Sequence, residues 1–364
     1  MGRGSVKKSR CFVLLFAAIA ALTVGVSVAP AADRLYWVQA VSGSDLIGRA
    51  DLNGANPTAV VSAPTVTGPT GVGVDAQADF VFWIEASLNA DRIRRSTSSG
   101  GSPTTILSWP AVASPKAVAV DPVGQKIYWA ERSAGNDRLR RANYDGTAVA
   151  TLVSWPIVVD PAALAVDGDG GKLYWAEDTF ADERIVQANL DGTGRVTVLA
   201  FPLMSNPAGL AVDGPAGQLF WVEESIGEDA VRRAGTDGSN PTTIVAWPTV
   251  SDPSAIAVDG VHHKVYWAET VTAAAAIRRC NADGSTVEIA LSAPVIDNPI
   301  GVALGVIAPQ PGCQTPADCN DNNPCTVDAC VSGTCSYAPY NCDDGLSCTV
   351  DTCAASGMNA TCQH

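Results

Sequence analysis

The chain has 364 residues, 47% of them hydrophobic, and its 37 Asp and Glu outnumber 23 Lys and Arg to give a net charge of −14. Such a surface repels nucleic acid and anionic lipid, which removes those partners and favours cations or basic proteins. The 11 cysteines are placed so unevenly that two kinds of structure must share the chain.

Residues 1–31 read as an export signal. Arg3, Lys7, Lys8 and Arg10 form a basic start, Phe12 to Val28 an apolar run, and Ala29-Pro30-Ala31 a small-residue cleavage site. The run is short and lacks a charged stop on its far side, which argues against a retained anchor. Its removal leaves 19 basic against 37 acidic side chains, a net charge of −18.

From residue 32 to 307 one unit repeats. Trp37, Trp83, Trp129, Trp175, Trp221 and Trp267 recur every 46 residues, as do Asp75, Asp121, Asp167, Asp213 and Asp259. The glycines Gly54, Gly100, Gly146, Gly192, Gly238 and Gly284 keep the same period. A period of this length marks one supersecondary unit copied head to tail. The third copy holds four short apolar runs: strand A over Ala117 to Asp121, B over Ile127 to Ala130, C over Leu139 to Asn143, and D over Ala150 to Val153. Their β-branched and aromatic content and regular turn signals predict an antiparallel four-stranded sheet. Strands A and B are apolar on both faces, as expected of sheets packed radially against neighbours.

The first copy begins at strand B with Leu35-Tyr36-Trp37, and the last ends on a lone strand A, Ile300 to Leu304. Pairing the two orphans completes a sixth sheet from both termini and closes a ring. An open array would instead need polar capping repeats.

Six in-phase segments, among them Tyr128-Trp129-Ala130-Glu131, Phe220-Trp221-Val222-Glu223 and Tyr266-Trp267-Ala268-Glu269, resemble the YWTD (low-density lipoprotein receptor class B) repeat. The resemblance covers 33–306 and implies an all-β, six-bladed propeller. This chain departs from the motif: its Thr is Ala, Val or Ile, and its Asp is Glu, or Gln39 in the first copy. The family's particular ligands therefore do not carry over.

Within this framework the loops between strands B and C gather negative charge on one rim. Glu177, Asp178, Asp182, Glu183, Glu223, Glu224, Glu228, Asp229 and Glu269 are the candidate binding residues. Glu85, Glu131 and Glu177 face Arg92, Arg138 and Arg184 across the hairpin and are expected to pair with them. Glu223 and Glu269 meet Ala230 and Ala276 instead, so their charge is expected to be free for a partner. The strand-A aspartates are expected to cap their own turns, with metal ligation at the channel as the alternative. His262 and His263 read as solvated turn residues, and no catalytic triad or phosphate-binding loop is visible. Trp109, Trp155 and Trp247 at the strand D exits are read as filling the gaps between blades, with an exposed contact surface as the alternative.

The segment 308–364 is of the second kind. Cys313, Cys319, Cys325, Cys330, Cys335, Cys342, Cys348, Cys353 and Cys362 predict a disulfide-stapled module in an exported chain. Cys319, Cys325 and Cys330 recur 23 residues on, and Cys325-Thr326-Val327-Asp328 is echoed by Cys348-Thr349-Val350-Asp351. These motifs resemble the CTDC-type cysteine repeat of slime-mould extracellular-matrix proteins, which implies that Cys335 and Cys362 close the two units. Cys280 either packs as a small hydrophobe or bonds Cys313. No cofactor is predicted, although calcium on tail aspartates such as Asp321 and Asp344 stays open. The expectation is a secreted or cell-surface binding protein, not an enzyme, whose acidic face meets an extracellular protein or matrix component. The rival is a calcium-dependent hydrolase or lactonase with its site at the channel mouth.

Overall fold

A computed structural model describes residues 33–306, apart from 88–89, 181, 226 and 272–273, together with the backbone of four short tail strands. Six four-stranded antiparallel sheets stand as blades around a central axis, and no helix occurs among the described residues. Blade 3 runs Pro115–Asp121, Lys126–Glu131, Arg138–Asn143 and Ala150–Ser154, each predicted strand gaining a residue or two at its ends. The strands A of all six blades line the axis and the strands D form the outer wall.

Blade 1 is built from both ends of the ring. Its strand A is Pro299–Gly305, which pairs antiparallel with Arg34–Gln39 and sets Leu35 opposite Leu304 and Trp37 opposite Val302. The predicted closure is therefore the observed one. A second contact spans the same seam: Arg279 Nη1 donates to the Leu52 carbonyl (3.1 Å). It is one copy of a repeated staple in which Arg49, Arg95, Arg141 and Arg233 reach Ser98, Tyr144, Leu190 and Ala282 of the next blade.

Packing is carried by the repeat tryptophans, all six with 1% exposure or less, set among Val, Leu, Ile and Tyr from the neighbouring blade. Each gap between blades is filled three residues after the strand D exit by Val66, Val112, Val158, Met204, Val250 or Ile296, all essentially buried. That occupancy overturns the gap-filling role expected of Trp109, Trp155 and Trp247, which are 51–54% exposed. The space they were expected to fill is already taken.

Alternating strand direction puts the B–C loops and the D–A corners on one face, here called upper. The A–B and C–D turns lie on the lower face, where the described chain also enters at Asp33 and leaves at Val306. In the tail, backbone register places Cys330 opposite Cys335 and Cys353 opposite Cys362 in two hairpins. Cys313, Cys319, Cys325, Cys342 and Cys348 lie outside the described residues. Cys280 is a buried free thiol in the core between blades 5 and 6, and burial pushes it up to about 12. That burial suits the small-hydrophobe reading, and Cys313, the alternative partner, lies outside the described residues.

Candidate functional site

Five of the nine acidic candidates belong to the frame of the blades. In blades 2 to 6 the repeat tryptophan donates its indole N–H to the Glu two residues on, at 2.8–2.9 Å: Trp83 to Glu85, Trp129 to Glu131, Trp175 to Glu177, Trp221 to Glu223 and Trp267 to Glu269. Alternation along a strand puts residues i and i+2 on one face, which brings the two side chains together. The expected pairs form, Glu85 with Arg92, Glu131 with Arg138 and Glu177 with Arg184.

Glu223 and Glu269 are not free, contrary to expectation. Arg232 and Arg278, nine residues on, reach them at 3.1 and 2.9 Å. The residue directly opposite each Glu is Ala230 or Ala276, but the residue two further along strand C shares its face and approaches diagonally. Arg94 and Arg140 do the same in blades 2 and 3, and Arg94, Arg140 and Arg232 also stack 5.4–5.5 Å over the tryptophan ring. The 46-residue period of these arginines was a legible signal that cross-hairpin pairing alone overlooked.

Asp229 is buried as well. Its two carboxylate oxygens accept the amides of Ser225 (2.8 Å) and Asp252 (2.9 Å), tying the B–C loop to the next blade's corner. Asp91 and Asp137 repeat the arrangement. Glu183 takes the same place in blade 4, 7% exposed, and one of its oxygens is buried without a hydrogen bond. The longer side chain does not fit the bridging role of Asp.

Asp178, Asp182, Glu224 and Glu228 remain for a partner. Asp178 and Glu224 border the upper mouth of the channel, a cavity of about 270 Å³ that Lys116 and Arg132 border from blade 3. Arg132 holds Asp160 at 3.1 Å and lies 3.9 Å from Asp178. Burial raises the Asp178 carboxyl, against the pull of Arg132, and burial followed by repulsion from Asp252 and Asp229 raises Glu224. Six equivalent positions ring this mouth, Thr70, Lys116, Ala162, Ala208, Ser254 and Ile300, so the cation of blade 3 is matched by no other blade. Just below, Gly71, Ala117, Ala163, Gly209, Ala255 and Gly301 let the A strands approach closely; a Cβ on Gly209 would stand 3.0 Å from the Ala255 Cα.

The strand-A aspartates cap their turns, as expected. Asp75, Asp121, Asp167 and Asp213 accept the amide three residues on at 2.8–3.1 Å, and Asp259 accepts those of Val261 and His262. Among the described residues no three His, Cys, Asp or Glu side chains gather as a metal-holding group. His262 is an exposed turn residue, as expected, and its ring also meets two carboxylates: Nδ1 lies 2.7 Å from Asp259 Oδ2 and Nε2 3.8 Å from Asp33.

Searches against protein-family models and curated proteins return no match. Solved structures do match in fold. A chain in the crystal structure of a nidogen/laminin complex is 21% identical with a TM-score of 0.65, over 76% of this chain and 100% of that one. TolB from Acinetobacter baumannii is 14% identical with a TM-score of 0.61, over 76% and 67%. A putative TolB from Agrobacterium tumefaciens is 11% identical with a TM-score of 0.53, over 72% and 89%. At these identities the likeness is one of fold, and it agrees with the propeller described above.

Proposed function

We propose that this protein is an exported, non-catalytic binding module that holds an extracellular protein or matrix component on the upper face of its propeller. The observation that carries the reading is the broken symmetry of the channel mouth. Where the fold repeats six times, this mouth sets Lys116 and Arg132 of blade 3 against Asp178 and Glu224 of blades 4 and 5. The fold has taken up Glu177, Glu183, Glu223, Asp229 and Glu269, so of the rim carboxylates these two are the ones at the mouth itself that can meet a basic partner. The protein neighbour named with nidogen supports a protein partner over a small substrate. No helix among the described residues is long and apolar enough to cross a membrane.

The test is solid-phase binding of the mature chain to purified extracellular-matrix proteins. The double variant Asp178→Asn, Glu224→Gln is expected to lose at least about fivefold in affinity, mainly through a slower on-rate at low salt. Because both carboxyls are raised, they gain protons at a higher pH than ordinary carboxylates. Binding should therefore fade earlier on acidification than an ordinary Asp or Glu would allow. Unchanged affinity in the variant, or lactone hydrolysis abolished by Asp167→Asn, would contradict the proposal.

A further inference from the structure

Every blade turns from strand D to the next strand A through the same corner. The residue after strand D donates its amide to the carbonyl of the B–C loop: Trp155 to Asp137 (2.8 Å), Phe201 to Glu183 (2.9 Å), Ala63 to Asp45 (2.9 Å) and Ala293 to Ala275 (3.0 Å). A buried apolar residue then pins the corner, Val158 and Met204 in two of these copies, Val66 and Ile296 in the other two. Alanine therefore makes this corner as well as an aromatic ring does. The ring contributes nothing the corner needs, and half of it stands in solvent.

In blades 3 and 4 a second large apolar residue follows two positions on, giving Trp155 (51% exposed) with Ile157 (49%), and Phe201 (51%) with Leu203 (51%). Phe180, 97% exposed in the B–C loop of blade 4, belongs to the same quarter of the face. Arg184, which follows that loop, donates to the Ile157 carbonyl at 3.4 Å, so the blade 3 corner and the blade 4 loop are neighbours. Blades 2 and 5 carry Ala111 and Thr249 at the second position. Monomeric proteins seldom leave such a set of rings and aliphatic side chains open to water without a partner.

The charges nearby say what the partner carries. Arg184 is held by Glu177 (2.7 Å) and Arg132 by Asp160 (3.1 Å), while Asp182 stands exposed beside Phe180. From this we infer that the rim of blades 3 and 4 is a docking surface for a protein segment that presents aromatic or aliphatic anchors flanked by Lys or Arg. The proposal rests on the reading of the upper face as a binding face, and places a second contact area outward of the channel mouth.

A phage-displayed random peptide library panned on the immobilised mature protein tests it. The enriched peptides are expected to combine Trp, Phe, Leu or Ile with Lys or Arg. They should lose at least about tenfold in affinity on Trp155→Ala, Phe201→Ala, as hot-spot aromatics do, and keep it on Trp109→Ala. Melting of the double variant should match the parent, since Ala63 and Ala293 make the same corner. No enrichment, acidic peptides, or equal binding to the double variant would overturn the proposal. Co-sedimentation with phosphatidylcholine vesicles that is lost in the double variant would overturn it in favour of a lipid surface. Binding that depends on Asp178 and Glu224 but not on Trp155 and Phe201 would leave the channel-mouth reading standing and remove the rim.

Discussion

At the scale of single residues, the molecule is governed by the buried glutamate that follows the repeat tryptophan in blades 2 to 6 and the arginines that neutralise it. Blades 2 and 3 use two arginines each, blade 4 only Arg184 because Val186 stands at the second position, and blades 5 and 6 only Arg232 and Arg278. None of the five glutamates that follow the repeat tryptophans is left without a cation. Blade 1 explains its own exception. Gly48 occupies the arginine position because the Trp37 ring lies where a Cβ would be, and with no cation available the acid is replaced by Gln39. Gln39 accepts the Asp297 amide instead (3.0 Å), and the Trp37 indole N–H goes without a partner.

Arg184→Ala should strand Glu177 as an unpaired buried charge and cost about 2–4 kcal/mol, below the full penalty because Arg184 itself is partly solvated. Arg138→Ala should cost about 1 kcal/mol or less, since Arg140 still reaches Glu131. Burial already raises the Glu177 carboxyl, with Trp175 and Arg184 opposing it. Loss of Arg184 removes a lowering influence and raises the carboxyl further. An acid raised in the folded state loses stability as pH rises through its folded value, so this variant should recover stability on acidification. Equal melting of the two variants at neutral pH would refute the pairing logic.

At the scale of elements, the hairpin turn between strands C and D shows what sequence can and cannot reveal. Asp-Gly turns announce a tight hairpin, and the glycines are left-handed as that turn requires, Gly238 with φ +82°. Nothing local to the turn tells that the same glycine abuts the previous blade, where a Cβ would collide with the Val198 carbonyl. Gly238→Ala should therefore cost more than about 2 kcal/mol, the sum of backbone strain and a displaced blade. Gly227→Ala is the control: its φ is +76° but nothing lies within 4 Å of the new Cβ, so only about 1 kcal/mol is expected. Comparable urea midpoints for the two would rule out the inter-blade role. The D–A corners carry the opposite lesson. Their aromatic residues looked like packing because large rings usually are, whereas the residue three positions later does that work and the rings face water.

At the scale of the whole molecule, period and phase made the fold legible. Six unbroken copies gave the blade number, and the mismatched ends gave the closure, because both are counts along the chain. The site was legible only in part. Asp178, Asp182, Glu224 and Glu228 stay available, but Glu223, Glu269 and Asp229 were taken for free charge when tertiary neighbours two residues or one blade away consume them. Such neighbours depend on which face and which blade a side chain meets, and pairwise reading across one hairpin does not reach that far.

Closure is the claim on which the rest depends, because an open ring has neither a channel mouth nor a common upper face. Thermal melting of the mature chain ending at Asp297, beside one ending at Ala308, tests it most directly. Without Pro299–Gly305 the strand Arg34–Gln39 loses its partner, and Leu35 and Trp37 open to water. The chain ending at Asp297 is predicted to melt at least about 10 °C lower than the chain ending at Ala308, given several kcal/mol lost at the seam. Coincident melting of the two would contradict a ring tied shut by its ends.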